Sequence, residues 1–298
     1  MTRFYMTIGI AGCGKSSWEN KKLEEGIIDK VYSSDAYRQK LLGDINDQNH
    51  NDIVFKELYS DVIKALKENK NDCLDATNFT IKTRSKILNL IQENKINCEK
   101  IAVFFEVEFS IILRQNATRE RKVPEHVLHD MHRKIQIPFL EEGFDKIETV
   151  FRCESNIQLY DIQKSMYGFD QNNPHHSNDL WEHCSLAYSN LLGKTDNAEL
   201  LLASTIHDFG KIYTKTFDEE KEYSHFIGHE NYGAYMSLFI DWYPFMVDKE
   251  KIAFYICYHM IPYHLEHARE DTIEKYKKLF GNKWNDIMLL HEADANAH

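Results

Sequence analysis

The chain has 298 residues, 43% of them hydrophobic and 28% charged, and its 47 Asp and Glu outweigh 36 Lys and Arg to give a formal charge of −11. That balance excludes a disordered or low-complexity chain. It also leaves no apolar run near the ~18 residues that a membrane helix needs. It excludes a long basic track for nucleic acid and leaves room only for a local, short-range phosphate-binding groove. The length fits two domains. Six cysteines without a CxxC pair, and a start at 1–10 without a signal-peptide pattern, lead us to expect reduced thiols in a cytoplasmic protein.

The apolar run at 4–8 predicts a buried strand. It feeds Gly9-Ile10-Ala11-Gly12-Cys13-Gly14-Lys15-Ser16 and then a helix predicted over 17–25. Strand, glycine loop, Lys-Ser and helix together are the context of a phosphate-binding P-loop. Gly9, Gly12, Cys13 and Gly14 would offer backbone N–H groups, joined by those of the helix start at Ser17. Lys15 would reach the β- and γ-phosphates, and the Ser16 hydroxyl would hold Mg²⁺. The expectation is a bound nucleoside triphosphate.

Further strands are predicted at 31–34, 73–76, 101–106 and 147–152, alternating with helices at 36–42, 53–68, 81–94 and 109–117. Alternation of this kind implies an α/β domain: a mostly parallel sheet with helices on both faces, its ligands beyond the carboxyl ends of the strands. Asp35, after the second strand, fits a base that accepts a hydroxyl proton, and equally a helix N-cap. Asp75 and Asn78, after the third, fit an acceptor pocket or an Asx-type turn. Residues 114–124 carry Arg114, Arg119, Arg121 and Lys122, which fit a solvated charged face or a lid that brings cations to a transferring phosphoryl group.

Taken together, GIAGCGKSS, SSDAYR, LDATNF and the N-x-x-R segment before VP resemble the 5′-hydroxyl polynucleotide kinase domain over about residues 1–150. The resemblance implies that Lys15 and Ser16 serve ATP and Mg²⁺, that Asp35 is the general base, and that Arg38 contacts substrate phosphate. It further implies that Asp75 organises the acceptor pocket and that Arg119 is the lid arginine on the ATP phosphates. One residue fewer than the family pattern separates Arg119 from Val123-Pro124, and Arg121 is a rival for that role.

The expected boundaries are 1–153 for this domain, 154–173 for a linker, which includes the turn-rich stretch from Gly168, and 174–298 for a second, all-α domain. Helical periodicity falls at 179–192, 197–210, 228–241, 248–261, 271–280 and 284–296. Of 15 histidines only His50, His126, His129 and His132 precede residue 150. His207-Asp208, at the end of an apolar helix, could converge on a metal with His183, His225, His229, His259 and Asp294. Imidazole with carboxylate suits Mn, Fe, Co, Ni or Zn rather than Ca²⁺. His264, His267, His291 and His298 read as packed or surface residues, and His175 and His176 are left open.

PHHSNDLWEH, TIHDFGK, HFIGHE, YHM and HEADA resemble the HD phosphohydrolase superfamily. That resemblance implies a metal set of His183, His207, Asp208 and Asp294, with Asp208 bridging to a second ion on His229 and His259, and Lys211 on substrate phosphate. The combined expectation is a bifunctional enzyme that phosphorylates 5′-OH ends, of RNA rather than DNA, and hydrolyses 2′,3′-cyclic or 2′/3′-phosphate ends, with a separate RNA ligase sealing afterwards. The alternatives are a nucleoside or nucleotide kinase fused to an HD nucleotidase, and a nucleotide-gated regulatory protein.

Overall fold

A computed structural model describes residues 1–172 and 178–297; His175, His176 and His298 lie outside the described residues. The chain divides into two compact units, one formed by Met1–Met131 with Pro138–Arg152, the other by His132–Ile137 with Cys153–His298.

The first unit contains strands β1 (Thr2–Ile8), β2 (Lys30–Ser33), β3 (Asp72–Asp75), β4 (Cys98–Val107) and β5 (Lys146–Arg152). Its helices are α1 (Lys15–Glu24), α2 (Ser34–Leu42), α3 (Asn51–Lys67), α4 (Ile81–Glu93), α5 (Phe109–Thr118) and α6 (Glu125–His132), with a 3-10 turn at Leu140–Glu142. The strands form one sheet in the order β2-β3-β1-β4-β5, and every neighbouring pair is parallel. β1 is central, and from Phe4 to Ile8 it is a continuous buried run because both of its faces are covered. The first connection runs one way along the sheet and the later ones run back, so right-handed crossovers place α1 and the later helices on opposite faces. Trp18 of α1 packs on Tyr5 and Phe105, which share a face. Thr7 pairs with both Asp75 and Val103, and Asp75 with Ser33, so the β1, β2 and β3 ends lie level. All three loops of interest therefore open on one edge.

The second unit is mainly helical. Its helices are α7 (Leu159–Met166), α8 (Leu180–Leu191), α9 (Ala198–Ser204), α10 (Lys211–Thr214), α11 (His229–Ser237), α12 (Lys249–Tyr258), α13 (Ile261–Leu265), α14 (Glu270–Phe280) and α15 (Lys283–Ala295). It departs from the all-α expectation: β6 (Ile157–Gln158) pairs with β9 (Ile240–Asp241), and β7 (Thr216–Asp218) pairs with β8 (Tyr223–His225). Nor is 154–173 simply a linker, since it supplies β6 and α7, and α7 buries Ile162 and Met166 one turn apart. α8 forms where Asp179 and Glu182 make a capping box, and it buries Leu180, His183, Cys184, Ala187 and Leu191 at helical spacing.

Candidate active sites

In the first unit the glycine loop leaves β1 and enters α1 through Gly12 and Gly14, whose φ values of 89° and 102° a side chain would oppose. Lys15 Nζ donates to the carbonyls of Gly9 at 2.9 Å and Ile10 at 3.3 Å, parked on the loop it would leave for a phosphate. Ser16 and Ser17 are exposed at the helix start. The Cys13 side chain is buried, which pushes its thiol up, and its N–H is taken by the Ile10 carbonyl. Beneath the loop, Glu19 is buried and accepts from Thr7 at 3.2 Å; burial and the neighbouring Asp75 raise it to about 7. Glu19 went unnoticed in the sequence, where it is one polar position of an exposed-looking helix.

Asp35 stands one residue into α2. Arg38 donates to its Oδ1 at 2.9 Å and Arg121 to its Oδ2 at 2.9 Å, so each oxygen faces a guanidinium. Arg121 also donates to Asn46 at 2.7 Å. The rival arginine of the 114–124 segment is thus the one that reaches the carboxylate. Arg119, at the C-cap of α5, is exposed and makes no side-chain hydrogen bond or ion pair among the described residues. The segment is closed by Asn116, whose amide donates to the Val123 carbonyl at 2.8 Å and accepts from the Val123 N–H at 2.9 Å.

Two further expected residues are already paired. Arg38 is only 6% exposed and is bonded to Asp35 and to Asn51 at 2.8 Å, so a substrate phosphate would have to share it with them. Asn78 is engaged within the fold as well. It is buried with φ 49°, and its amide donates to the Thr7 carbonyl at 2.8 Å, tying the loop after β3 to β1. A left-handed Asn that closes a turn is the plainer of its two sequence readings. Asp75 stays at the strand end, half-buried.

In the second unit five stretches converge. His183 comes from α8, His229 from the first turn of α11, His259 from the C-cap of α12 and Asp294 from α15. His207 and Asp208 do not end a long helix as expected. α9 stops at Ser204, and successive i→i+3 bonds (Thr205 to Leu202, Ile206 to Ala203, Phe209 to Ile206) wind the chain into tight turns that aim both side chains inward. Gly210 permits the close approach of α11, because a Cβ there would lie 2.1 Å from the His229 carbonyl oxygen.

Donor atoms of His183, His207, Asp208 and Asp294 lie within 4.8 Å of one another, and so do those of Asp208, His229 and His259. Asp208 belongs to both sets and divides its oxygens between them. Oδ2 faces His183 Nε2 at 3.3 Å and His207 Nε2 at 3.7 Å, while Oδ1 faces His229 Nε2 at 3.0 Å and His259 Nε2 at 3.4 Å. Asp294 Oδ1 lies 2.9 Å from His183 Nε2 and 3.2 Å from His207 Nε2. His225 stands apart, 3.4 Å from Asp218.

The histidine tautomers suit a cation. Each Nδ1 lies against a backbone carbonyl: Ala297 for His183 at 2.9 Å, Ser204 for His207 at 2.9 Å, Phe226 for His229 at 2.8 Å and Ile256 for His259 at 2.7 Å. With Nδ1–H donated there, the Nε2 lone pairs point at the carboxylates. The Nε2 atoms of His229 and His259 are buried and complete no hydrogen bond among the described residues. Without a cation, protons balance the charge. Burial opposes charging His183, but Asp208 and Asp294 outweigh it and raise it to about 10. Burial likewise works against both carboxylates, yet Lys211 and His207 hold Asp208, and His207 and His183 hold Asp294, well below the usual range. The donor set fits one or two divalent transition ions.

Lys211, expected on substrate phosphate, is already paired in this structure and also lines the cavity over the cluster. Its Nζ lies 2.6 Å from Asp208 Oδ2 and 2.9 Å from Gln171 Oε1, so it backs the shared carboxylate from a buried position. A cavity of about 690 Å³ opens over the cluster, bounded among others by Phe226, Ile227, Glu230, Met260, Tyr263 and His264. Tyr263 and Gln171 escaped the sequence reading because neither residue type, taken alone, signals a metal site.

Residues 4–138 match the family described as AAA_33, an AAA domain. The L-seryl-tRNA(Sec) kinase of Methanococcus maripaludis is 23% identical over 177 residues, covering 55% of this chain and 64% of that protein. The bifunctional polynucleotide phosphatase/kinase of Schizosaccharomyces pombe is 30% identical over 95 residues, covering 30% of this chain and 23% of that protein. The chain thus spans less than two thirds of either curated relative. Among solved structures, the Mycobacterium tuberculosis APS kinase CysC in complex with AMPPNP and APS is similar at 18% identity and a TM-score of 0.38, covering 51% of this chain and 90% of that one. The first unit therefore carries a P-loop domain with kinases among its relatives, and the second unit is a mainly helical region that can gather metal ligands.

Proposed function

We propose that the chain heals nucleic-acid ends: the first unit transfers a phosphoryl group from ATP to a 5′-OH, and the second hydrolyses a 2′,3′-cyclic phosphate or a 2′/3′-phosphate. The observation that carries the reading is Asp208, one carboxylate facing two histidine sets in a chain that also holds a P-loop. The polynucleotide phosphatase/kinase relative, matched over 95 residues, supports the kinase half of this reading.

In the first unit Asp35 Oδ2 is the atom on which the 5′-hydroxyl proton would land, once the hydroxyl takes the place of the Arg121 guanidinium. Lys15 would leave the Gly9 and Ile10 carbonyls for the phosphates, with Ser16 on Mg²⁺. Arg121, displaced, remains at the donor–acceptor junction to meet developing charge. ATP and Mg²⁺ are the expected cofactors of this unit.

In the second unit His183, His207, Asp208 and Asp294 would hold one ion and Asp208, His229 and His259 a second, with Mn, Ni, Co, Fe or Zn suited to the set. Bound there, such ions supply Lewis acidity and an activated water for phosphoester hydrolysis. Lys211 keeps Asp208 ionised, and the cavity above accepts the terminal nucleotide. RNA is the expected polymer, and a separate RNA ligase would act on the healed ends.

The test uses one short RNA with a 5′-OH and a 2′,3′-cyclic phosphate, incubated with ATP, Mg²⁺ and Mn²⁺ or Ni²⁺, and a mass reading of both ends. Gain of a 5′-phosphate with loss of the terminal phosphate is the expected result. Transfer to free nucleosides in preference to the RNA would move the first unit to nucleotide metabolism. No change at either end, in protein shown to bind ATP and metal, would overturn the reading.

A further inference from the structure

Every histidine of the cluster is braced by a backbone carbonyl, and Asp208 is braced by Lys211. Asp294 is braced differently. Its Oδ1 faces His183 and His207, while its Oδ2 accepts from the Tyr263 hydroxyl at 3.0 Å. Tyr263 comes from α13, a short helix directly after the His259 turn, and its ring packs edge-on against His291 with centroids 4.3 Å apart. The hydroxyl is the donor of this pair, since an ionised carboxylate oxygen can only accept. Tyr263 also forms part of the cavity wall.

We infer that Tyr263 is a positioning residue for the ion held by His183, His207 and Asp294: by occupying Asp294 Oδ2, it fixes the carboxylate so that Oδ1 alone is presented. This rests on the metal reading of the cluster given above. Outer-shell donors of this kind commonly tune metal affinity by ~10- to 100-fold. The second set, Asp208 with His229 and His259, has no described hydrogen bond to Tyr263, so the effect should be confined to one ion.

The experiment titrates Mn²⁺ into metal-free full-length protein by calorimetry and by electron paramagnetic resonance of free Mn²⁺. Four proteins are compared: the parent, Tyr263→Phe, His229→Ala, and the double variant, with thermal melts to confirm folding. His229→Ala weakens the second set, which leaves the first as the main site. Tyr263→Phe should weaken one class of ion by ~10-fold, and the same loss should appear in the His229→Ala background. Unchanged affinities, or equal weakening of both classes with a lowered melting temperature, would overturn the inference and leave Tyr263 a packing residue. A parent that binds no Mn²⁺, Ni²⁺ or Zn²⁺ would instead sink the metal reading itself. The inference fails alone when the parent binds metal and the Phe variant either binds equally or weakens both classes alike.

Discussion

Arg121 donates to Asp35 at 2.9 Å across 86 positions of sequence. Both side chains are 47% exposed, so the pair contributes under ~1 kcal/mol to stability. Arg121→Ala should therefore melt within about 3 °C of the parent. Its rate of 5′-phosphorylation, followed by transfer of labelled phosphate, should fall by ~10²-fold. If Arg119→Ala shows that loss and Arg121→Ala does not, the lid role returns to Arg119.

Asp35→Asn keeps the shape of the side chain but cannot take a proton. Transfer to an RNA 5′-OH should drop by ~10²-fold or more, while ATP affinity, read from a fluorescent analogue, stays within about twofold, since the P-loop contacts do not involve Asp35. A regulatory ATPase with no acceptor would show no such loss.

Because Asp208 serves both donor sets, its loss should be felt by both. After loading with Mn²⁺ and dialysis, elemental analysis should find Asp208→Asn nearly empty and His229→Ala retaining one ion per chain where the parent retains two. Equal retention by all three proteins would remove the cluster from consideration as a metal centre.

His183 in the metal-free protein is raised to about 10 by the two carboxylates it faces, against the effect of burial. It is therefore protonated at pH 7, and a cation must displace that proton. Metal binding should release protons, and affinity should rise between pH 6 and pH 8. Calorimetry in two buffers of different ionisation enthalpy measures the release; a binding enthalpy independent of the buffer would contradict it.

Asp72 opens β3 fully buried, with neither carboxylate oxygen hydrogen-bonded among the described residues, and burial together with Asp29 raises it to about 7. A carboxyl group raised in the folded state favours folding while it is protonated. That contribution is intact below the unfolded value near 4 and is lost progressively as pH rises to about 7. Asp72→Asn should stabilise the protein at pH 8 by about 2 kcal/mol. The gap between variant and parent should close in melts at pH 4.

The parallel sheet was legible because both of its signals are local. β1 is a short apolar run with the glycine loop attached, and strand–helix alternation follows from hydrophobic period alone. The second unit was legible in its histidines and less so in its backbone. A run such as 197–210 has continuous helical hydrophobicity, so nothing in its pattern marks Ser204 as the end of α9. The tight turns that follow are imposed by packing around Gly210, a tertiary effect. Arg38, Asn78 and Lys211 share another limit. Residue type and spacing placed them near the chemistry, but whether a polar group faces substrate or is already paired depends on neighbours distant in sequence, such as Asn51, Thr7 and Gln171. Tyr263 was invisible for the same reason.

The six residues His132–Ile137 are placed with the second unit although the chain returns to the first from Pro138. Ile135 and Ile137 are buried there; the Ile137 carbonyl accepts from Tyr258, and the Arg133 carbonyl from Asn231. During synthesis this segment leaves the ribosome 121 positions ahead of its Tyr258 partner, a delay of roughly ten seconds at common translation speeds. A gene fragment ending at the last strand of the first unit would encode Ile137 without Cys257 and Tyr258, its hydrogen-bonding partners. Recombination that swaps either half for a foreign one must therefore carry this segment along with its cognate helices, which ties the inheritance of one half to the other.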